Sequence, residues 1–223
     1  MYTGIIEAVG TLALIEKRGN GAFVKVMTPA SFKAKDRVKI GDSVASNGVC
    51  LTATTIGDDF FTADVSAETV AMTCFKFYKQ GQRLNLELPC TPATHLGGHI
   101  VQGHVDGIGE IKDITPLGEA VNIWVKNPPE LSRYIALKGS IAVDGASLTV
   151  NSVTDDSFRL TLIPHSQTVL AFENWKSGSK VNLEVDVLAR YLERLILGQK
   201  AQGNAEEKSS ALSFETLMQN GFI

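Results

Sequence analysis

Asn47–Thr52 reads NGVCLT and Asp144–Thr149 reads DGASLT. The second stretch repeats the first. Shifted by 97 residues, Ser43–Glu87 lies over Ser140–Glu184 with 14 of 45 positions identical, where ordinary residue frequencies give roughly 3 by chance. The matches fall at structural punctuation. DDFF (Asp58–Phe61) lies over DDSF (Asp155–Phe158), and GQRLNLEL (Gly81–Leu88) over GSKVNLEV (Gly178–Val185). At an offset of 99, GIIEAVG (Gly4–Gly10) lies over GHVDGIG (Gly103–Gly109). A period this long is a whole small domain, not a solenoid unit, so the chain is an internal duplication.

Each copy reads as strands. FVKVMT, FFTADV, RLNLEL, VNIWVK, FRLTLI and KVNLEV are short, β-rich and mostly alternating. Asp-Gly, Gly-Asn and Asp-Asp clusters separate them. About six such strands in each copy predict a closed Greek-key barrel, since closure removes exposed edges. One helix is expected after the fifth strand of each copy. Ser66 would cap the first, with Glu68 in its opening turn. Pro164 would open the second, where a missing N–H costs little. The fold class is therefore mainly β: a tandem six-stranded Greek-key barrel plus a C-terminal α-helix. The expected divisions are 1–97, 98–187 and 188–223, with the boundary between copies in TPATHLGGH. Past Asp186, VLARYLERLILG places Leu188, Tyr191, Leu192, Leu195 and Ile196 on one helical face. QKAQGNAEEKSS reads as a flexible tail. ALSFETLMQNGFI reads as a short last helix, with Ser213 as cap and Glu215 in its first turn.

Bulk properties narrow the function. The 223 residues are 44% hydrophobic and 20% charged, with a net charge of -3. That describes an ordinary globular protein with no basic face for nucleic acid. No apolar run reaches membrane-span length, and the N-terminus lacks a signal-peptide pattern. Three cysteines, Cys50, Cys74 and Cys90, without short metal-ligand spacing fit neither a disulfide framework nor a zinc site. They suit a reducing cytoplasm.

Two copies of one barrel offer two similar pockets, and Cys50 against Ser147 would make those pockets unlike. A buried cysteine serving only as a small hydrophobe remains the plainer alternative. His99 and His104 stand five apart, which on an ideal strand sends them to opposite faces.

MYTGIIEAVG, GDSVASNGVCLT, GGHIVQGHVDGIG, and DGASLTV followed by IPHSQT closely resemble the motifs of the riboflavin synthase family. The resemblance runs from Met1 to about Asp186. It implies conversion of two 6,7-dimethyl-8-ribityllumazine molecules into riboflavin and 5-amino-6-(D-ribitylamino)uracil by transfer of a four-carbon unit. It implies no cofactor and no metal, and a cytoplasmic homotrimer whose active site lies between subunits. Ser43, Cys50, His104, Ser147 and Asp186 would carry the chemistry. The substrate-binding positions would be Gly4, Ile5, Ile6, Cys50, Leu51, Thr52, Asp64, Val65, Ser66, Ala67, Glu68, Thr69, Gly103, His104, Val105, Lys138, Ser147, Leu148, Thr149, Leu162, Ile163, Pro164, His165, Ser166 and Gln167. Lys138 would reach a neighbouring site, and the Leu188–Leu197 helix would form the trimer contact. Tyr2 stands where the family usually has phenylalanine, and Ser166 where threonine is common. A non-catalytic lumazine- or flavin-binding antenna protein is the alternative, but such proteins tend to lose the polar set kept here. A flavin-reductase barrel would need a glycine-fingerprint βαβ unit after Asp186, and none follows.

Overall fold

The computed structural model describes residues 1–202 and 218–219. Six strands form the first barrel: β1 (Ala8–Arg18), β2 (Gly21–Met27), β3 (Ser43–Ser46), β4 (Val49–Ile56), β5 (Phe60–Val65) and β6 (Arg83–Glu87). Six more form the second: β7 (Gly107–Leu117), β8 (Ala120–Lys126), β9 (Ser140–Val143), β10 (Ala146–Val153), β11 (Ser157–Leu162) and β12 (Lys180–Val185). Both close, antiparallel throughout, in the same order: β1-β2-β5-β4-β3-β6 and β7-β8-β11-β10-β9-β12. Even the bulges repeat. The register slips between Leu12 and Leu14 and again between Ile111 and Asp113. It slips between Ala53 and Thr55 and again between Val150 and Ser152. Bulges sharpen local twist and help a short sheet to close.

Three helices follow the strands where local chemistry allows. The short α1 (Ala34–Arg37) precedes β3. In α2 (Ala67–Met72), Ser66 Oγ accepts the Thr69 amide at 3.0 Å, the expected cap. Pro164 opens α3 (Pro164–Val169). Met1–Ala189 form one compact unit holding both barrels, and Arg190 begins another. Across that division, α4 spans Val187–Gln202. Ser213, Glu215 and the polar tail lie outside the described residues.

Each barrel has its own core. Alternation in β2 sends Ala22, Val24 and Val26 inward, against Leu12, Phe61, Leu84 and Leu86. The second core gathers Ile111, Ile123, Phe158, Leu160, Val181 and Leu183. In β6 and β12 the outward residues are buried too, because the other barrel covers them. Asn85, Glu87, Asn182 and Glu184 are all inaccessible.

These four hold the barrels together by a pseudo-twofold set of hydrogen bonds. Asn85 Nδ2 donates to the Asp144 carbonyl at 2.9 Å and Asn182 Nδ2 to the Asn47 carbonyl at 2.8 Å. The other side-chain atom of each amide crosses as well. Asn85 Oδ1 accepts from Ala171 N and Asn182 Oδ1 from Cys74 N, both at 2.7 Å. Between them the NG and DG turns meet. A Cβ on Gly48 would stand 2.7 Å from Gly145 N, and one on Gly145 the same distance from Gly48 N. Both residues also have positive φ, so no other residue fits either place.

The symmetry is broken by hydrogen-bond logic at the turns. Asn47 Nδ2 donates to Tyr78 Oη at 2.7 Å, whereas Asp144 Oδ2 accepts from Trp175 Nε1 at 2.9 Å. A phenol can accept the Asn47 amide, whereas an indole can only donate, so Trp175 requires the acceptor that Asp144 supplies. Burial pushes the Asp144 carboxyl up to about 7, against the Asn182 and Trp175 donors. Asp144→Asn would face the indole N–H with a second donor. Its expected cost is about 1–3 kcal/mol in urea unfolding. Adding Trp175→Tyr, which recreates the first-copy pair, should recover part of that loss.

Candidate functional site

The chain's first residues cross between barrels. Ile6 packs on the second core, while its counterpart Val105 packs on the first. Ser147 N donates to the Gly4 carbonyl at 2.8 Å, and Cys50 N to the Gly103 carbonyl at 3.0 Å. Tyr2 and Val101 pair as an antiparallel bridge where the two segments meet. Buried carboxylates anchor both crossings. Glu87 accepts from Thr3 N (2.6 Å), Thr3 Oγ1 (2.7 Å) and Gly4 N (3.0 Å). Glu184 accepts from Gln102 N (2.5 Å), Gly103 N and His104 N (both 3.0 Å). Burial raises both acids, Glu184 to about 7, while the amides that they gather pull the other way.

This arrangement forms a pocket of about 380 Å³ on the first barrel, within the usual range for small-molecule sites. β4 alternates, so Leu51 enters the core while Cys50 and Thr52 face outward. The first turn of α2 supplies Glu68 and Thr69, its end supplies Met72, and the crossing segment supplies Gly103, His104 and Val105. Tyr2 Oη donates to Cys50 Sγ at 3.2 Å. Burial, then the thiol, hold that phenol well above its ordinary value, and a hydrogen bond with Ser43 opposes them. Ser43, Tyr2, Cys50 and the crossing segment thus meet in one place.

The equivalent positions on the second barrel are Ser147, His165, Ser166, Gly4, Ile5 and Ile6. A thiol becomes a hydroxyl, a carboxylate becomes an imidazole, and His104 becomes Ile5. Ser147 Oγ lies 2.7 Å from His99 Nδ1. Asp186 Oδ1 accepts from Leu188 N at 3.0 Å, so one carboxyl oxygen opens α4, and its charge still acts on His99.

Several expected binding residues turn their side chains elsewhere. Leu51, Val65 and Leu162 are buried in the two cores, leaving only main-chain groups for a ligand. Leu148 packs partly against the second core. Ser66 caps α2. Asp64 pairs with Arg18 on the surface. Gln167 Nε2 donates to the carbonyls of Glu119 and Leu162. Thr52, Ala67, Thr149, Ile163, Pro164 and His165 are exposed on the outer surface. Lys138 is exposed with φ 65°, at the position where the first copy has Gly41. A larger cleft of about 840 Å³ runs along the connecting segment, lined by Glu7, Arg37, Cys90 and His95. Of the expected residues it touches only Ile5. Glu87, Glu184 and the His99–Ser147 contact were not among the expected residues. The signal for the two acids was present: both copies carry NLE in β6 and β12.

Twin barrels of matched topology, with matched crossings and anchoring acids, define a tandem lumazine-binding protein. The lumazine-binding-domain family model matches twice, at residues 3–89 and 102–186. Over the full length of both chains, the protein is 46% identical to riboflavin synthase of Photobacterium phosphoreum. It is 39% identical to that of Bacillus subtilis strain 168, again covering all of both chains. The chain belongs to the riboflavin synthase family of transferases. A crystal structure of LumP with 6,7-dimethyl-8-(1'-D-ribityl) lumazine shares the fold, with a TM-score of 0.75 at 22% identity over 83% of this chain and 99% of that one.

The raised acids make stability depend on pH. Asp144 and Glu184 keep their protons to about 7 in the fold, against ordinary values of 3.8 and 4.5. Their contribution is complete below those ordinary values and is lost as pH rises through about 7. Glu87, also raised by burial, adds to them, and His99, lowered by burial, opposes them as one group against three. The urea midpoint at about pH 5.5 should therefore exceed that at about pH 8. Glu184→Gln should narrow the gap.

Proposed function

We propose that the protein transfers a four-carbon unit between two molecules of 6,7-dimethyl-8-ribityllumazine, releasing riboflavin and 5-amino-6-(D-ribitylamino)uracil. This is the last step of riboflavin biosynthesis. The observation that carries this reading is the pocket joining Cys50 and His104, with Ser147 and Ile5 at the equivalent positions of the second copy. Two like molecules in unlike surroundings meet the first need of a dismutation. The atoms of two lumazines equal those of the two products, so the reaction calls for no outside oxidant or reductant. Pre-orienting both rings is the largest available contribution, about 7–11 kcal/mol in favourable cases. Proton removal from the acidic 7-methyl group and later returns to the ring need groups that exchange protons near neutrality. The His104 imidazole and Cys50 thiol would handle protons on one side, and the Ser147 hydroxyl and Asp186 carboxylate on the other. Main-chain amides and carbonyls of the crossing segments and of β4 and β10 suit the donor–acceptor edge of a pyrimidinedione.

The working form is a cytoplasmic homotrimer, with the first-barrel pocket of one subunit facing the second-barrel pocket of its neighbour. Support comes from α4, where Leu188, Tyr191, Leu192, Leu195 and Ile196 are all more than half exposed. A face so apolar calls for a partner. Lys138 adds to this. A lysine held in the left-handed region, where its counterpart is glycine, keeps backbone strain in return for a side chain. That side chain suits a ligand in the adjoining subunit. Cys50, Cys74 and Cys90 are free thiols, as a reducing compartment favours. No described helix is long and apolar enough to cross a membrane.

Purified protein given the lumazine alone should develop riboflavin fluorescence. Cys50→Ala and His104→Ala should each slow turnover by about 10²-fold, the scale of a lost proton-transfer group; His104→Ala should keep the unfolding midpoint, while Cys50→Ala should lower it by removing the acceptor of the buried Tyr2 hydroxyl. Lumazine bound but unconverted would return the antenna reading. Leu192→Glu with Leu195→Glu should convert the trimer to monomers in sedimentation and remove activity together with it. Full activity in a monomer would refute the shared site.

A further inference from the structure

We propose that His99 is the positioning residue of the second pocket: through Nδ1 it fixes the Ser147 hydroxyl so that Ser147 presents its own O–H to the bound ring. The proposal rests on the reading that Ser147 lines a lumazine pocket.

The first pocket shows the device. There Cys50 receives a hydrogen bond from Tyr2 Oη at 3.2 Å. Ser147 is the counterpart of Cys50, and Val101 that of Tyr2, but valine has nothing to donate. His99 supplies the missing donor from two residues away. Its backbone is tied by His99 N to the Thr3 carbonyl at 3.1 Å. Gly98 lets the chain pass close, since a Cβ there would lie 2.9 Å from Ser147 Oγ.

The imidazole is otherwise poorly matched to its surroundings. His99 is 8% exposed, and its Nε2 has no hydrogen-bond partner among the described residues. An apolar ring would fill the space without that penalty, so packing alone does not explain a histidine. Orphaned buried N–H groups are rarer than orphaned acceptors, which places the proton on Nδ1. Burial also lowers its basicity, with the Asp186 charge opposing. His99 is thus a neutral donor to Ser147 Oγ, and the serine's own hydrogen is left to point outward. The two pockets are tuned alike, by unrelated residues on either side of the Tyr2–Val101 bridge.

The test is a double-mutant cycle on the full-length protein, read in lumazine turnover. His99→Phe should lower kcat about tenfold, the effect of one lost hydrogen bond, with KM within about twofold. Ser147→Ala should fall similarly, and the double variant should be no slower than the slower single. His99→Asn, whose amide nitrogen stands where Nδ1 stood, should regain most of kcat. His99→Gln, whose nitrogen stands near Nε2, should not. That Asn–Gln contrast decides the matter even if the Phe variant fails to fold. Multiplicative losses, equal rescue by both amides, or full activity in His99→Phe would overturn the role of His99 alone. A Ser147→Ala variant at the wild-type rate would instead overturn the pocket reading beneath it.

Discussion

Two buried asparagines, Asn85 and Asn182, hold the molecule together at its centre. Each donates to the turn of the opposite barrel and accepts from that barrel's strand-to-strand connection. Each satisfies buried backbone groups that would otherwise cost free energy. Because every such bond runs between barrels, the barrels dock in only one way. That docking makes the crossings possible. Tyr2–Ile6 and Val101–Val105 can each lie against the far barrel only if the two barrels stand back to back at the Gly48–Gly145 contact. The pocket with Cys50 and His104 is then a consequence of the interface, since the strand and the crossing segment that form it come from different copies.

A duplicated backbone need not carry duplicated chemistry. The strands, bulges and turns of the two barrels repeat position by position, so the second barrel inherits the first barrel's backbone frame. Divergence is confined to side chains whose change the frame tolerates. Cys50 became Ser147 and His104 became Ile5 with the main-chain bonds to Gly103 and Gly4 retained. At the turn, one asparagine–tyrosine pair corresponds to one aspartate–tryptophan pair, because a change in one partner's hydrogen-bond capacity requires a change in the other. The anchoring acids, Glu87 and Glu184, did not diverge at all. Each gathers several N–H groups at once, a task for which no other side chain of that length has enough acceptors.

Much of this was legible in the residues. Alternation in β2, β5 and β8 reports which side faces a core, and Ser66 and Pro164 mark helix starts because capping chemistry is local. The crossings were not legible. GIIEAV and GHVDGI read the same whether each segment stays on its own barrel or trades places, since the local pattern is identical in both cases. His99 was obscured for a related reason. The five-residue spacing to His104 separates two faces of a strand, but only Val101 pairs there, and the bent segment brings His99 onto Ser147. Leu51, Val65 and Leu162 sit within binding motifs but point into the cores. A motif marks a stretch of backbone, and strand alternation decides which of its side chains can touch a ligand.

The crossings also tie catalytic competence to folding. The first barrel does not complete its pocket from its own residues: it needs Gly103–Val105 of the other copy. A chain whose barrels had each folded but not docked would have cores and no pockets. Both carboxylates that complete the docking are raised by their own burial, and Glu184, at about 7, takes up its proton in the range where histidines exchange theirs. A frame built this way links the assembly of the site to the state of the interface rather than to either barrel alone. This gives a physical reason for the buried polar residues at the centre of the molecule. Leucine at Asn85 and Asn182 would bury as well, but would fix neither the docking nor the pockets that depend on it.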